Sequence, residues 1–243
     1  MDETIERATN FLPRVDETAS SNEVDRRLVT LTAPASNAAE QYRTLYYRLE
    51  RMREVRGMKT IAITSSMPGE GKTLTSVNLA LTAARANLDR RILLIDADLR
   101  RGQVAQALGI RSKPGLTELL AGEVEVRDVV RRFQSTRLAV IPAGETPEDP
   151  TQVLASARMK QFLARVRESF DEVYIDLPPT LPFADAAIAS PLVDGVLMVV
   201  RANVTPMRMV NQAIDQLNGA PVVGCVLNGA EMNANPYSKA YGK

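Results

Sequence analysis

The chain is predicted to be an α/β protein built on a doubly wound, mostly parallel sheet, and three observations lead there. Aliphatic runs such as Ile92-Leu-Leu-Ile95 and Gly195 to Val200 are continuous, as in strands covered on both faces. Stretches with helical periodicity separate these runs along most of the chain, the pattern of repeated strand, helix, strand units. A Gly/Pro loop, Ser66-Met-Pro-Gly-Glu-Gly71, joins one such strand to the helix after it.

Length and composition bound the rest. With 243 residues, 45% of them apolar, one large domain plus extensions is expected. Thirty basic against twenty-nine acidic residues make no global field of the kind a nucleic-acid partner demands. The absence of histidine and the single cysteine, Cys225, exclude the usual zinc ligand sets, an imidazole-activated nucleophile and an internal disulfide. Cys225 lies in the apolar run from Pro221 to Leu227 and is expected to be a small buried hydrophobe. Any metal is then an oxygen-liganded ion such as Mg²⁺. The charged start, Met-Asp-Glu-Thr-Ile-Glu-Arg, and the lack of an apolar run of about 18 residues predict a cytoplasmic protein.

Taken in order, residues 1–35 mix charged, small and Pro residues and are expected to be a flexible N-terminal extension. Ser36 is a candidate N-cap for an amphipathic helix from Ala38 to Arg56 that carries Tyr42, Leu45, Leu49 and Met52, with Gly57 as its stop. Met58 to Thr64 is the first strand and Lys72 to Leu88 the helix beyond the loop. The run at Ile92 is the next strand. Residues 102–135 suggest short helices broken at Lys113-Pro-Gly115 and Ala121-Gly122. Leu138 to Ile141 is a short strand, 142–150 a loop, 151–170 helical, and Glu172 to Asp176 a strand ended by Pro178-Pro179. Strand 195–200, helix 207–217 and strand 222–227 complete a domain over 36–230, with 231–243 a flexible tail.

Chemistry concentrates at the ends of three strands. In the loop, Gly69 and Gly71 can turn N–H groups toward phosphate oxygens, Lys72 can reach terminal phosphates and the Thr73 hydroxyl can hold Mg²⁺. Ser66 stands where the phosphate-loop pattern usually has its first glycine. Asp96 and Asp98 follow the Ile92 strand, at the carboxyl end where parallel sheets bind ligands, and would point the same way if the strand continued. Asp176 ends its own strand, a position suited to holding Mg²⁺ through water.

Together, Thr64-Ser-Ser-Met-Pro-Gly-Glu-Gly-Lys-Thr73, Ile95-Asp-Ala-Asp-Leu-Arg-Arg101 and Ile175-Asp-Leu-Pro-Pro179 resemble the bacterial tyrosine kinases of capsule and exopolysaccharide systems, over about residues 36–243. The resemblance implies a P-loop fold of deviant Walker type and an ATP- and Mg²⁺-dependent tyrosine autokinase. It implies catalytic roles for Lys72, Asp96, Asp98 and Arg100. Nucleotide contacts would come from Pro68, Gly69, Glu70, Gly71, Lys72, Thr73 and Leu74, with Asn228 at the adenine. Thr73, Asp98 and Asp176 would serve the metal, Tyr237 and Tyr241 would be autophosphorylated, and Glu40 with Arg43 would contact a neighbouring copy. The implied partners are further copies in a homo-oligomer, a cognate phosphatase, and a transmembrane chain-length protein. The cytoplasmic tail of that last protein would activate the chain and recruit it to the inner face of the membrane.

Three departures from the family pattern stand out: Leu177 where a Ser or Thr is usual, Tyr46 where a second arginine is usual, and only two tail tyrosines. Leu177 and the sparse tyrosines keep open a catalytically weak nucleotide-binding regulator of polysaccharide export. A partitioning-type switch ATPase is the other alternative; those relatives carry a lysine early in the loop, where Met67 stands here.

Overall fold

The structure, a computed structural model, describes residues 16–17, 24–133 and 136–230. Eight strands form one sheet in the order β1-β4-β5-β3-β6-β2-β7-β8. They are β1 (Asp16–Glu17), β2 (Thr60–Ser65), β3 (Ile92–Asp96), β4 (Arg131–Phe133), β5 (Leu138–Ile141), β6 (Glu172–Asp176), β7 (Gly195–Arg201) and β8 (Val222–Asn228). All pairings are parallel except β4 with β5.

Both faces of the central strands are covered. In β2, Ile61 and Ile63 face one apolar cluster and Ala62 the other; in β3, Ile92 and Leu94 alternate with Leu93 and Ile95 in the same way. One cluster receives α2 (Asn37–Arg56), α3 (Lys72–Ala86) and α4 (Val104–Leu108) through Tyr46, Leu49, Val77, Leu81 and Leu108. The other receives α5 (Leu116–Ala121), α8 (Ala157–Ser169) and α10 (Met207–Gln216) through Leu116, Phe162, Val166 and Val210. Each wholly buried Leu, Ile or Val contributes about 1.5–3 kcal/mol, so this double cover is the main source of stability.

The predicted helix ends hold where cap chemistry is present. Ser36 accepts from the Ala39 N–H at 3.2 Å, and Gly57, at φ 65°, ends α2 in the left-handed conformation. Between β2 and its neighbours the strand order reverses: the chain runs from β2 across β6 to β3 on one side and later to β7 on the other. The carboxyl ends of β2, β3 and β6 therefore meet at a switch point, where sheets of this kind bind ligands.

Four expectations are corrected. Residues 24–35, placed in a flexible extension, pack on the domain as a strap: Leu28 is wholly buried, and α1 (Val29–Thr32) lies along α3. Residues 131–133 are not part of a run of short helices but form β4, whose Phe133 side chain enters the core. The helix expected over 151–170 is two, α7 (Pro150–Ala155) and α8, because Ser156 is extended (ψ 153°) and spends its hydroxyl capping α8 at the Met159 N–H. Cys225 is exposed, since β8 is the sheet edge and carries a partly uncovered face. The short helix α6 (Val126–Val129) falls within the expected run of short helices, whereas α9 (Asp185–Ala189), in the connection after β6, was not anticipated. Among the described residues no helix is long and apolar enough to cross a membrane.

At the amino end of the sheet, Glu172 is buried on β6 and accepts from Tyr174 Oη at 2.8 Å, Arg90 at 3.0 Å and Tyr46 Oη at 3.3 Å. Arg53 lies 3.5 Å from Oε2, the oxygen that accepts from Tyr174, and stacks over the Tyr174 ring. Tyr46 thus faces the core, and its position does not belong to the outer surface that carries Glu40 and Arg43.

Candidate active site

The phosphate loop is braced before any ligand arrives. Glu70, predicted as a nucleotide contact, turns its carboxylate inward, accepting from the Met67 N–H at 2.9 Å and from the Thr205 hydroxyl. Asn228 donates from Nδ2 to the Glu70 carbonyl at 2.8 Å, which ties the last strand to the loop. Gly71 is required twice over: its φ is 94°, and a Cβ there would lie 2.0 Å from Asn228 Nδ2. Because Gly71 is the N-cap of α3 and has no side chain, nothing from the cap blocks the first-turn N–H groups, which point to the phosphate site.

Lys72 and Thr73 open α3 and meet the acidic strand ends. Lys72 Nζ lies 2.7 Å from Asp98 Oδ2 and 3.5 Å from Asp176 Oδ2. Thr73 Oγ1 donates to Asp176 Oδ2 at 2.7 Å, and Ser76, one turn on, donates to Asp176 Oδ1 at 2.9 Å. Ser76 was not singled out in the sequence. It shares a helix face with Thr73 by its spacing of three, but nothing in the sequence says that this face meets the end of β6.

Asp96 and Asp98 do not act side by side as their spacing suggested, because β3 stops at Asp96 and the chain turns. Asp96 is fully buried and accepts from the backbone N–H groups of Asp98 at 3.2 Å and Val104 at 3.0 Å. Asp98 lines the cleft and holds Lys72. Burial pushes the Asp96 carboxyl up to about 8, with the nearby Asp176 charge adding to it. Asp176 is raised too, by burial, against the pull of Lys72 and the Thr73 and Ser76 hydroxyls. Burial would lower the Lys72 ammonium, but the charges of Asp176 and Asp98 raise it. With Asp96 largely held protonated by burial, Asp98 and Asp176 around one ammonium still leave negative charge to spare.

These residues suit a hard dication. The donors are carboxylate and hydroxyl oxygens, and among the described residues no three His, Cys, Asp or Glu side chains make an all-protein cage. An ion held by Thr73 and one or two carboxylates, with phosphate oxygens completing its shell, matches the way Mg²⁺ is bound.

Arg100, predicted as catalytic, is forked onto buried Asp185, Nε to Oδ2 at 2.7 Å and Nη2 to Oδ1 at 3.1 Å, with its guanidinium 4.1 Å from the centre of the Phe183 ring. Its engagement is with the opposite wall rather than with Lys72. Leu177 is wholly buried in the apolar cluster that contains Ala186 and Ala189, so the position carries core packing. Pro68 and Gly69 are exposed at the loop tip and Leu74 is half-buried. Glu40 and Arg43 pair on the outer face of α2, Nε to Oε2 at 2.7 Å, and Arg43 also donates to the Pro34 carbonyl at 3.0 Å. Tyr237 and Tyr241 lie outside the described residues.

The strap supplies a wall that sequence reading missed. Asn78 of α3 accepts from the Thr30 N–H at 3.1 Å and donates to the Arg27 carbonyl at 3.1 Å, while the Asp25 N–H reaches the Ala107 carbonyl at 2.9 Å. Arg27 thereby borders a cleft of about 660 Å³ whose other walls include Gly69, Lys72, Asp98, Arg101 and Phe183.

A parallel sheet with a glycine-flanked lysine and threonine at a helix start, facing carboxylates from two neighbouring strands, defines a P-loop protein that binds nucleotide with a metal. Residues 58–219 match a protein family described as an AAA domain. Tyrosine-protein kinase YwqD of Bacillus subtilis is 32% identical over 221 residues, covering 90% of this chain and 92% of the relative. The succinoglycan biosynthesis transport protein ExoP of Rhizobium meliloti is 33% identical over 94% of this chain, and tyrosine-protein kinase etk of Escherichia coli 33% over 83%. The chain spans only 30% and 28% of those two longer relatives. The solved kinase domain of Escherichia coli ETK superposes with a TM-score of 0.80 at 32% identity, over 86% of this chain and 82% of that one. The MinC:MinD complex from Aquifex aeolicus, at 23% identity and TM-score 0.57, shares the fold. The chain belongs to the bacterial tyrosine kinases of P-loop type, as its motifs indicated.

Proposed function

We propose that the chain is an ATP- and Mg²⁺-dependent protein-tyrosine autokinase of an exopolysaccharide system. The convergence of Lys72, Thr73, Asp98 and Asp176 within hydrogen-bond reach of one another carries this reading. Lys72 is poised to leave its carboxylates for the β- and γ-phosphates, and Thr73, Asp176 and Asp98 would hold Mg²⁺, which supplies charge neutralisation on the transferring phosphoryl group. A tyrosine hydroxyl, with a pKa of about 10, needs a carboxylate to take its proton as the oxygen attacks the γ-phosphorus. The bond from that phosphorus to the bridging oxygen breaks, and ADP leaves. Asp98 is the better supported base, since it borders the cleft and its Oδ2 is held by Lys72, which nucleotide would draw away, while Oδ1 rests on the Arg101 N–H; Asp96 is fully buried with a main-chain N–H on each oxygen.

The acceptors would be Tyr237 and Tyr241 of a neighbouring copy, with Glu40 and Arg43 as contacts between copies. Asn228, already anchored on the phosphate loop, would border the adenine. A transmembrane chain-length protein would bring the chain to the inner face of the membrane and activate it through its cytoplasmic tail. The length of ExoP and etk, of which this chain spans under a third, supports a link to such a partner, and the ExoP name supports the polysaccharide. A cognate phosphatase would reset the tail.

The test mixes Lys72→Met protein that keeps both tyrosines with active protein that lacks them, with and without a candidate partner tail. Phosphate mapped to Tyr237 or Tyr241 of the inactive chain is expected. ATP hydrolysis with no tyrosine labelled would favour a switch ATPase and overturn the kinase reading.

A further inference from the structure

We propose that Ser76 is a positioning residue for the metal carboxylate: its hydroxyl, 2.9 Å from Asp176 Oδ1, fixes Asp176 so that Oδ2 alone faces the phosphate site. Three donors hold Asp176, and they divide cleanly between its oxygens: Ser76 is on Oδ1, Thr73 and Lys72 on Oδ2. Lys72 and Thr73 are the two assigned to phosphates and metal, so their hold on Asp176 changes when nucleotide enters. Ser76 is the donor that nothing in the site recruits, and it can keep the carboxylate's plane and rotamer fixed throughout. Ser76 is wholly buried, and its hydroxyl also lies 2.9 Å from the Lys72 carbonyl, a second acceptor. With one proton for two acceptors, the hydroxyl goes to the carboxylate, because bonds to an ionised acceptor are the stronger. The helix places it there: residues three apart share a face, so Ser76, three residues on from Thr73, comes back to β6 with it. Groups that hydrogen-bond a metal's ligands from behind typically change metal affinity by about 10–100-fold when removed.

Resting as this does on the assignment of Asp176 to the metal shell, the experiment carries Asp176→Asn alongside Ser76→Ala and Ser76→Thr. ADP affinity is measured by calorimetry across a Mg²⁺ titration and again in EDTA, with the melting temperature of each variant. Ser76→Ala is expected to raise the Mg²⁺ needed for half-maximal ADP binding about tenfold while leaving affinity in EDTA within about twofold. Ser76→Thr, which restores the hydroxyl, should return the Mg²⁺ dependence toward that of the natural protein. An unchanged Mg²⁺ dependence in Ser76→Ala, or an equal loss with and without Mg²⁺, overturns the positioning role. If Asp176→Asn also leaves the Mg²⁺ dependence unmoved, Asp176 is outside the metal shell and both assignments fall.

Discussion

At the scale of single residues, the site is a charge problem that nucleotide solves. Lys72 is the one ammonium among Asp96, Asp98 and Asp176, so Lys72→Met removes a phosphate contact and leaves the carboxylates unopposed. Calorimetry should show Mg²⁺-dependent nucleotide binding weakened by at least about 100-fold, on the scale of lost charge-assisted bonds in a buried site. Asp98→Asn should lower phosphoryl transfer far more than nucleotide affinity, whereas Asp96→Asn should report mainly on stability. The Asp96 carboxyl is raised to about 8 from an ordinary value of 3.8. Folding therefore favours its protonated form, and its contribution is complete below about pH 4 and lost as pH rises toward 8. In ligand-free Asp96→Asn the amide nitrogen must face one of the two main-chain N–H groups that the carboxylate accepts, so the variant should be less stable than the natural protein at pH 5, with a deficit that shrinks by roughly 1–3 kcal/mol as pH rises to 8.

At the scale of elements, two attachments decide how α3 and α2 sit. The strap is clasped by Asn78, whose side chain meets the Thr30 N–H and the Arg27 and Leu74 carbonyls. Asn78→Ala leaves the buried Thr30 N–H unpaired and should cost about 1–3 kcal/mol in urea unfolding, with the strap gaining amide exchange ahead of the sheet. At the other end, Glu172→Gln strips the carboxylate from between Arg53 and Arg90. Arg90 retains Glu50, but Arg53, nearly fully buried, keeps main-chain carbonyls and the face of the Tyr174 ring in place of a carboxylate. The loss expected is about 3–5 kcal/mol, the scale of a broken buried ion pair, and denaturant titration of the variant would show it. A shift below about 1 kcal/mol would mean that the pair is solvated and that α2 is held by Tyr46 and Leu49 alone.

For the whole molecule, the strand order brings together three segments far apart in sequence, the loop after β2 and the ends of β3 and β6, and sets the strap and the loop before α9 around them. A ligand that binds only this assembled arrangement stabilises the entire sheet. ADP with Mg²⁺ at 100 times its dissociation constant should add about 2.7 kcal/mol to the unfolding free energy. A melting temperature that does not respond to saturating nucleotide would mean that the loop and the strand ends are not one site.

What the sequence by itself determined was whatever depends on neighbouring residues. The doubly wound class followed from unbroken aliphatic strands. The phosphate loop followed from Gly69, Gly71, Lys72 and Thr73 between a strand and a helix, and Asp176 from its place at a strand end. The Ser36 cap and the Gly57 stop were visible for the same reason. Tertiary structure decided what depends on partners distant in the chain. Ser76 gained its role only because β6 lies beside the first turn of α3, and Arg100 was turned to Asp185 by a helix 85 residues on. Asp96 and Asp98 were separated because β3 ends between them, and Cys225 was left exposed because β8 has a neighbour on one side only. A charged, polar strap resembled an extension because Leu28 and Thr30 are too few to announce a docked segment. Periodicity and cap chemistry are local and are written in order along the chain, whereas burial and hydrogen-bond partnership are settled only when the sheet has closed around them.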